Sequence, residues 1–369
     1  MVTIAGQKTI SMPVFSDDNR NFARMFSRPL IRSITTLSLC LLTLIPFFTS
    51  CTKNRLKVDL SGIEVDYRSH RLDRELFHTE SGDFKDLNSS LHERYRDFYE
   101  DFLSQIIRIG HPTQPMVSIQ LEAFVNDHNW RETQKHIDAA FPDMQAYDRE
   151  LEQAFRYYRY HFPDAVIPQV VYYNSGFNVG VFPADEWLGA GLEWFLGSEN
   201  PVIQRLAPEN FPQYFKDKLI PDYLVNNVAK GWLMVNHQNL VTKEDFITML
   251  MFHGKVMYLL DAIFPDVNDA IKINYSDEAL DWCKRNEYNM WTHLIEADLL
   301  YSTSAKDLAG FFNDGPFTPA FQQKSPSRTG VWLGWQIIRQ YMDKNPDVTL
   351  SMMLREENPQ KILKYYKPR

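Results

Sequence analysis

The chain has 369 residues, of which 44% are hydrophobic and 14% aromatic, and a formal net charge of −8. The acidic balance argues against a nucleic-acid partner and against a strongly basic membrane-surface patch, while the apolar content is ample for a packed core. Of three cysteines, Cys40 falls in an N-terminal signal segment, Cys51 at its end is the acylation candidate, and Cys283 is left with no intramolecular partner, so no disulfide framework or Cys-rich metal site is expected.

At the N-terminus, Arg28 and Arg32 precede an uncharged run from Ile34 to Phe48. At about fifteen residues the run falls short of the roughly twenty that a spanning helix needs. It predicts a secretory signal peptide over residues 1–50 in preference to an uncleaved signal anchor. The polar leader before Arg28 is atypical of such signals and makes Met25 a candidate start. The run ends in Phe48-Thr49-Ser50-Cys51. This resembles the lipobox at which bacterial lipoproteins are cut and acylated on cysteine, with Phe48 where that pattern has leucine. The resemblance implies palmitate-type acylation at Cys51 and a lipid anchor in a membrane. Each buried methylene contributes about 0.8 kcal/mol, so two or three chains hold stably where one binds marginally.

Removal of the signal leaves residues 51–369, which are expected to form a single domain. Val58, Leu60, Ile63, Val65 and Tyr67 nearly alternate around a Ser-Gly break and predict a strand pair. A helix capped by Ser89 or Ser90 follows, with Leu91, Tyr95, Phe98, Phe102 and Ile106 on one face and Gly110 as its stop. Two more helices are predicted from Asn129 to Phe141 and from Gln145 to Phe162. The next stretch is rich in β-branched and aromatic residues and punctuated by glycines. It predicts strands over Val166–Tyr173, Val179–Phe182 and Trp187–Phe195. Pro221 can start a helix that carries NVAKGWLM, residues 227–234. Thr242 is a candidate cap for the next, with Glu244 and Asp245 in its first turn. Ser276, Asn286, Ser304 and Arg328 mark the starts of later helices. The expected fold is α+β and predominantly helical, with a small middle sheet followed by a helical C-terminal half.

Motifs with defined chemistry are missing. The sequence has no H-E-x-x-H, no G-x-S-x-G elbow, no phosphate-binding G-x-x-x-x-G-K-[ST] loop and no dinucleotide G-x-G-x-x-G. His128 with His136 and His293 with Glu296 are isolated pairs. Cys283 has no identifiable base beside it and reads as a small buried hydrophobe. No catalytic residue, metal ligand or cofactor is expected.

The stretches YYNSGFNVGVF (172–182), GLEWFLGSENP (191–201), GKVMYLLDAIFPD (254–266), NEYNMWTHLI (286–295), LYSTSAKDLAGFFNDGPFT (300–318) and SRTGVWLGWQIIRQYM (327–342) resemble the GldB family of gliding-motility lipoproteins from Bacteroidetes. The resemblance implies an envelope lipoprotein with no established reaction, whose partners are envelope or gliding-machinery proteins. Surface export of Bacteroidetes lipoproteins goes with acidic residues right after the cysteine. Thr52-Lys53-Asn54-Arg55 is basic instead, so a periplasm-facing position is expected.

The order of strand, glycine-rich turn, helix pair and C-terminal G-x-x-x-G-W-x-I helix is also similar to predicted zinc peptidases of the gluzincin type. Such enzymes place two histidines one turn apart on a helix so that both reach one zinc. In that register Lys230 and Met234 stand at the histidine positions, Gly231 at the base and His253 at the third ligand. An ammonium repels a dication and a thioether is a poor zinc ligand, so a degenerate, zincin-like pseudo-peptidase is implied. The similarity further implies a retained groove lined by Lys230, Trp232, His253, Lys255, Glu287, Arg328 and Trp335. Trp291, Trp332, Tyr258, Tyr288 and Tyr301 are further aromatics of the same region, although most such residues fill cores. Three roles follow: a binding lipoprotein that does not catalyse, a hydrolase with an unrecognised site, or a periplasmic chaperone or carrier.

Overall fold

Every residue of QVVYY after the glutamine is buried, and the side chains divide between two cores. This strand, β2 (Gln169–Tyr173), lies between β1 (Ser69–Arg71) and β4 (Trp187–Gly191), both parallel to it, while β3 (Val181–Pro183) pairs antiparallel with the outer side of β4. Ser69 sits opposite Val170, Gln169 opposite Trp187 and Val181 opposite Ala190. Val171 and Tyr173 face one apolar cluster and Val170 and Tyr172 the other, as the two-residue period of a strand requires. The computed structural model describes residues 54–79, 82–321 and 323–369. The signal segment with Arg28, Arg32 and Cys40, and the acylation candidate Cys51, lie outside the described residues.

On the first face of the sheet stand α1 (Leu72–Phe77), α2 (Phe84–Tyr95), α3 (Asp97–Asp101), a π turn (Phe102–Ile106) and α4 (Val117–Asn126). The chain then forms α5 (His128–Ala140) and α6 (Gln145–His161), which lead to the second face. Beyond the sheet come α7 (Pro201–Gln204), α8 (Gln213–Lys216), α9 (Leu224–Asn236), α10 (Phe246–Ile263), α11 (Asp269–Ile273) and α12 (Asp277–Glu296). The last helices are α13 (Ala305–Phe312), α14 (Thr329–Lys344), α15 (Leu350–Arg355) and α16 (Pro359–Leu363). The fold is α+β and mainly helical, as its sequence predicts.

Six local expectations need correction, the first being the strand expected to reach Phe195, which ends at Gly191 and gives way to a 3-10 turn over Leu192–Phe195. No strand pair forms between Val58 and Tyr67: the alternating side chains do turn inward, but Arg156 takes the Ile63 and Leu60 carbonyls, at 2.8 and 2.9 Å, and the first strand begins at Ser69. The cap of α2 is Asp83, which accepts from Lys85 N and Asp86 N, so Ser89 and Ser90 fall inside the helix. That helix ends at Arg96, whose φ of 45° breaks the run toward Phe102. The cap of α10 is Asp245, which accepts from Thr248 N at 2.9 Å, in place of Thr242. Asn286 lies mid-helix in α12, whose cap is Ser276 as expected.

The centre of the larger core is the crossing of α10 and α14. A Cβ on Gly254 would lie 2.3 Å from Gly334 O, and one on Gly334 would lie 2.2 Å from Leu250 O. The two backbones therefore touch, which only glycine at both places permits. α10 is long and apolar enough to cross a membrane, yet most of it is buried among the other helices. Its one carboxylate, Asp261, accepts from Lys272 Nζ at 2.8 Å, Trp335 Nε1 at 2.8 Å, and Arg339 Nε and Nη2 at 2.7 Å each. A buried charge with its partners this complete is tolerated where a lone one would not be.

Candidate functional site

Proline at the head of a 3-10 turn, Pro221–Tyr223, leads directly into α9. On α9 the residues Val228, Ala229, Trp232 and Leu233 are buried. Trp232 meets the rings of Phe155 and Tyr158 edge-on, with centroids 5.2 and 4.7 Å away. The opposite stripe, Asn227, Lys230, Gly231 and Met234, follows the i, i+3, i+4, i+7 spacing of one helix face and lines a cavity of about 280 Å³. A Cβ on Gly231 would lie 2.8 Å from Val181 Cγ1, so the glycine lets α9 lie against β3 and brings Lys230 to the cavity wall.

The other walls come from distant parts of the chain. Trp194 and Phe195, on the 3-10 turn Leu192–Phe195 after β4, and Phe215 on α8 supply aromatic surface. Lys218, Asp314 and Arg328 supply charge. Lys218 Nζ donates to Asp314, and Ser327 Oγ donates to the same carboxylate at 3.2 Å. Arg328 occupies the left-handed region at the head of α14, with φ 57°. Its Nη2 donates to Ile273 O at 2.6 Å, and its Nε lies 3.1 Å from Asp314 Oδ1 but off the line of a hydrogen bond.

Lys230 is the exception among these cations. Its stem is half-buried along the cavity, but its Nζ is shielded from water and has no hydrogen-bond partner. Burial pushes its pKa down to about 7, with repulsion from Arg328 and Lys218 outweighing attraction from Asp314. Burial likewise lowers Lys218, aided by Arg328 and opposed by Asp314. Burial would raise Asp314, but Arg328 and Lys218 hold it below its ordinary value. Trp194 Nε1 and Asn274 Oδ1, also on cavity-lining residues, are buried without partners too.

One more buried acid sets the wall. Glu193 accepts from Ser175 N at 2.8 Å, Ser175 Oγ at 2.5 Å and Phe177 N at 3.2 Å, which pins the turn between β2 and β3. Burial lifts its pKa to about 7 against the pull of those donors.

Of the residues expected to line one groove, the cavity unites Lys230 and Arg328. His253 lies behind them on α10, stacked on Phe312 with centroids 5.3 Å apart, and burial lowers its pKa to about 4, followed by the charges of Arg328 and Lys230. Lys255 belongs to a separate cavity of about 440 Å³ beside His237 and Glu356, where its Nζ donates to Leu354 O at 3.1 Å and Glu356 O at 2.9 Å. Glu287 accepts from Tyr366 OH at 3.0 Å inside the C-terminal packing. Trp232 and Trp335 are core residues. Trp332 is buried as well, Trp291 packs on Tyr366, Tyr258 accepts from Arg55 at 2.8 Å, and Tyr288 and Tyr301 are exposed. Sequence reasoning missed Trp194, Lys218, Asn274 and Asp314. Trp194 and Asp314 lie within the quoted family stretches, whereas Lys218 carries no local signal.

Among the described residues no three His, Cys, Asp or Glu side chains gather where they could hold a metal ion. Cys283 is buried, and burial raises its thiol pKa. A family model described as gliding motility protein GldB matches residues 53–368. The chain belongs to the GldB family. That match spans all the cavity-lining residues of this GldB-family chain. No curated protein and no solved structure matches the chain. None of these comparisons shows the likeness to zinc peptidases, which rests on the order of elements read from the sequence.

Proposed function

We propose that this GldB-family lipoprotein is anchored through acylated Cys51, faces the periplasm, and serves the gliding machinery or a related envelope assembly by binding, without catalysis. The observation that carries this reading is the chemistry of the cavity at Lys230. It presents buried donors with unmet hydrogen-bonding capacity, Lys230 Nζ, Trp194 Nε1 and Arg328 Nε, and no unengaged carboxylate or imidazole. Its one carboxylate, Asp314, is already engaged by Lys218 and Ser327. General acid–base catalysis needs a group poised to accept a proton from a substrate, and His253, the nearest imidazole of the expected ligand set, does not line the cavity. Lys230 with its lowered pKa is the residue that an enzyme reading would have to use.

Two measurements test the reading. Cells expressing Cys51→Ala are expected to lose the protein from carbonate-washed membranes. Persistence of the variant in that fraction contradicts the anchor. The purified full chain, supplied with zinc, is expected to turn over neither casein nor peptidoglycan. Hydrolysis that a chelator abolishes would establish a metallohydrolase in place of a binding protein.

A further inference from the structure

We propose that the cavity binds the C-terminal carboxylate of a peptide that ends in an apolar residue, with the Lys230 and Trp194 side chains turning on binding to present Nζ and Nε1 to the carboxylate and the terminal side chain against Phe195, Phe215 and Met234. The proposal rests on the reading that the chain works by binding, and it names the ligand.

The polar atoms set the ligand's charge. Lys230 Nζ and Trp194 Nε1 are donors, both buried and both unpartnered. A buried donor without a partner costs about 1–3 kcal/mol, and more for a charged one, so the group that completes this pair is an acceptor and carries negative charge. Lys218 and Arg328 share Asp314 as counter-ion, and Lys230 has none. Asn274 Oδ1 is a buried acceptor without a partner in the same lining. A peptide terminus brings both kinds of group in one ligand, a carboxylate to accept and an amide N–H to donate.

The apolar walls and the size set the rest. Phosphate sites are built from bidentate guanidinium faces or clusters of backbone N–H groups. Here the guanidinium is held by its surroundings, with Nη2 donating to Ile273 O, the Arg328 side chain over the Tyr275 ring, and Nε, though without a hydrogen bond, beside its counter-ion Asp314. The apolar surface includes Val181, Trp194, Phe195, Phe215, Leu219 and Met234, and about 280 Å³ holds one large side chain with its carboxylate, below the range of roughly 300–1,000 Å³ typical of drug-sized ligands. Capture of a C-terminal carboxylate is a recurrent mode of peptide recognition.

A carboxylate beside Lys230 favours the charged ammonium, so binding takes up a proton at a pH where the free lysine is largely neutral. The other charged or titratable groups around Lys230 are Lys218, Asp314 and Arg328 in the lining and His253 on α10 behind it. The Lys230→Met variant separates the lysine's contribution from theirs.

Titration calorimetry on the full chain in detergent micelles tests the proposal, with acetyl-Gly-Ala-Phe as free acid, the same peptide as C-terminal amide, N-acetyl-phenylalanine and inorganic phosphate as probes. The free-acid peptide is expected to bind at least about tenfold more tightly than its amide, as loss of a charge-assisted hydrogen bond implies. At pH 8 its binding is expected to take up a proton, measured in buffers of different ionisation enthalpy. Lys230→Met is expected to lose both the preference and the uptake. Equal affinity for acid and amide overturns the carboxylate, and so does tight binding of phosphate or no binding by any probe. N-acetyl-phenylalanine carries the carboxylate, amide N–H and ring that the cavity contacts and is expected to bind within a few-fold of the peptide; binding more than about tenfold weaker would overturn the placement of the terminal residue in the cavity. Cleavage of the peptide, seen by mass spectrometry, would instead overturn the binding reading on which the proposal rests.

Discussion

Lys230 and Glu193 are buried ionisable residues on or beside the same cavity, and they tilt stability in opposite directions with pH. The folded-state pKa of Lys230, about 7, lies below its ordinary 10.5. Between those values the unfolded chain binds the extra proton, so this residue makes the fold more stable as pH rises from 7 toward 10. Lys230→Met keeps the length of the stem and removes the charge. It is expected to stabilise the protein at pH 7 by on the order of 2 kcal/mol, with the gap closing as pH approaches 10. Denaturant midpoints across that range measure it. A variant less stable than wild type at pH 7 would mean that Nζ has a partner after all.

Glu193 runs the other way. Its folded pKa, about 7, lies above the ordinary 4.5, so the folded state holds the proton longer. Its contribution is fully present below pH 4.5 and is lost as pH rises through 7. Glu193→Gln should flatten the stability profile between pH 5 and 7.5, a change on the order of 2 kcal/mol across the window. An unchanged slope in thermal melts would show that another group titrates there.

At the scale of elements, the helices around Trp232 and Ile137 were legible because their apolar residues recur at helical spacing and their bounds carry recognisable signals. Pro221 starts the turn into α9, Ser276 caps α12 and Ser304 caps α13. The 58–67 segment misled because alternation reports which side chains turn inward and says nothing of what the backbone pairs with. There the partner is a single arginine on α6. The crossing of α10 and α14 was invisible in the same way. Gly254 and Gly334 lie in quoted stretches, but only the fold shows backbone touching backbone. Gly254→Ala is expected to cost about 2–3 kcal/mol by overpacking. Urea unfolding checks this, and a cost near zero would mean that the helices can part without penalty.

At the scale of the whole molecule, the α+β class and the helical C-terminal half followed from element order, and the family stretches carried the GldB assignment. The site was legible only in part. Lys230 and Arg328 came from a supposed enzyme register. The cavity also draws on residues from the 3-10 turn after β4, the loop after α8 and the loop after α13, which no local pattern links. Trp232 and Trp335 misled because an aromatic that suits a partly apolar, partly wet groove suits a core as well, and both are buried here. Complementation of a deletion strain by Lys230→Met, expressed at the wild-type level, tests the role of the cavity most directly. The expected result is a variant that sediments with membranes, melts at higher temperature than wild type and fails to restore gliding or envelope function. Full restoration by that variant would contradict a role for the cavity.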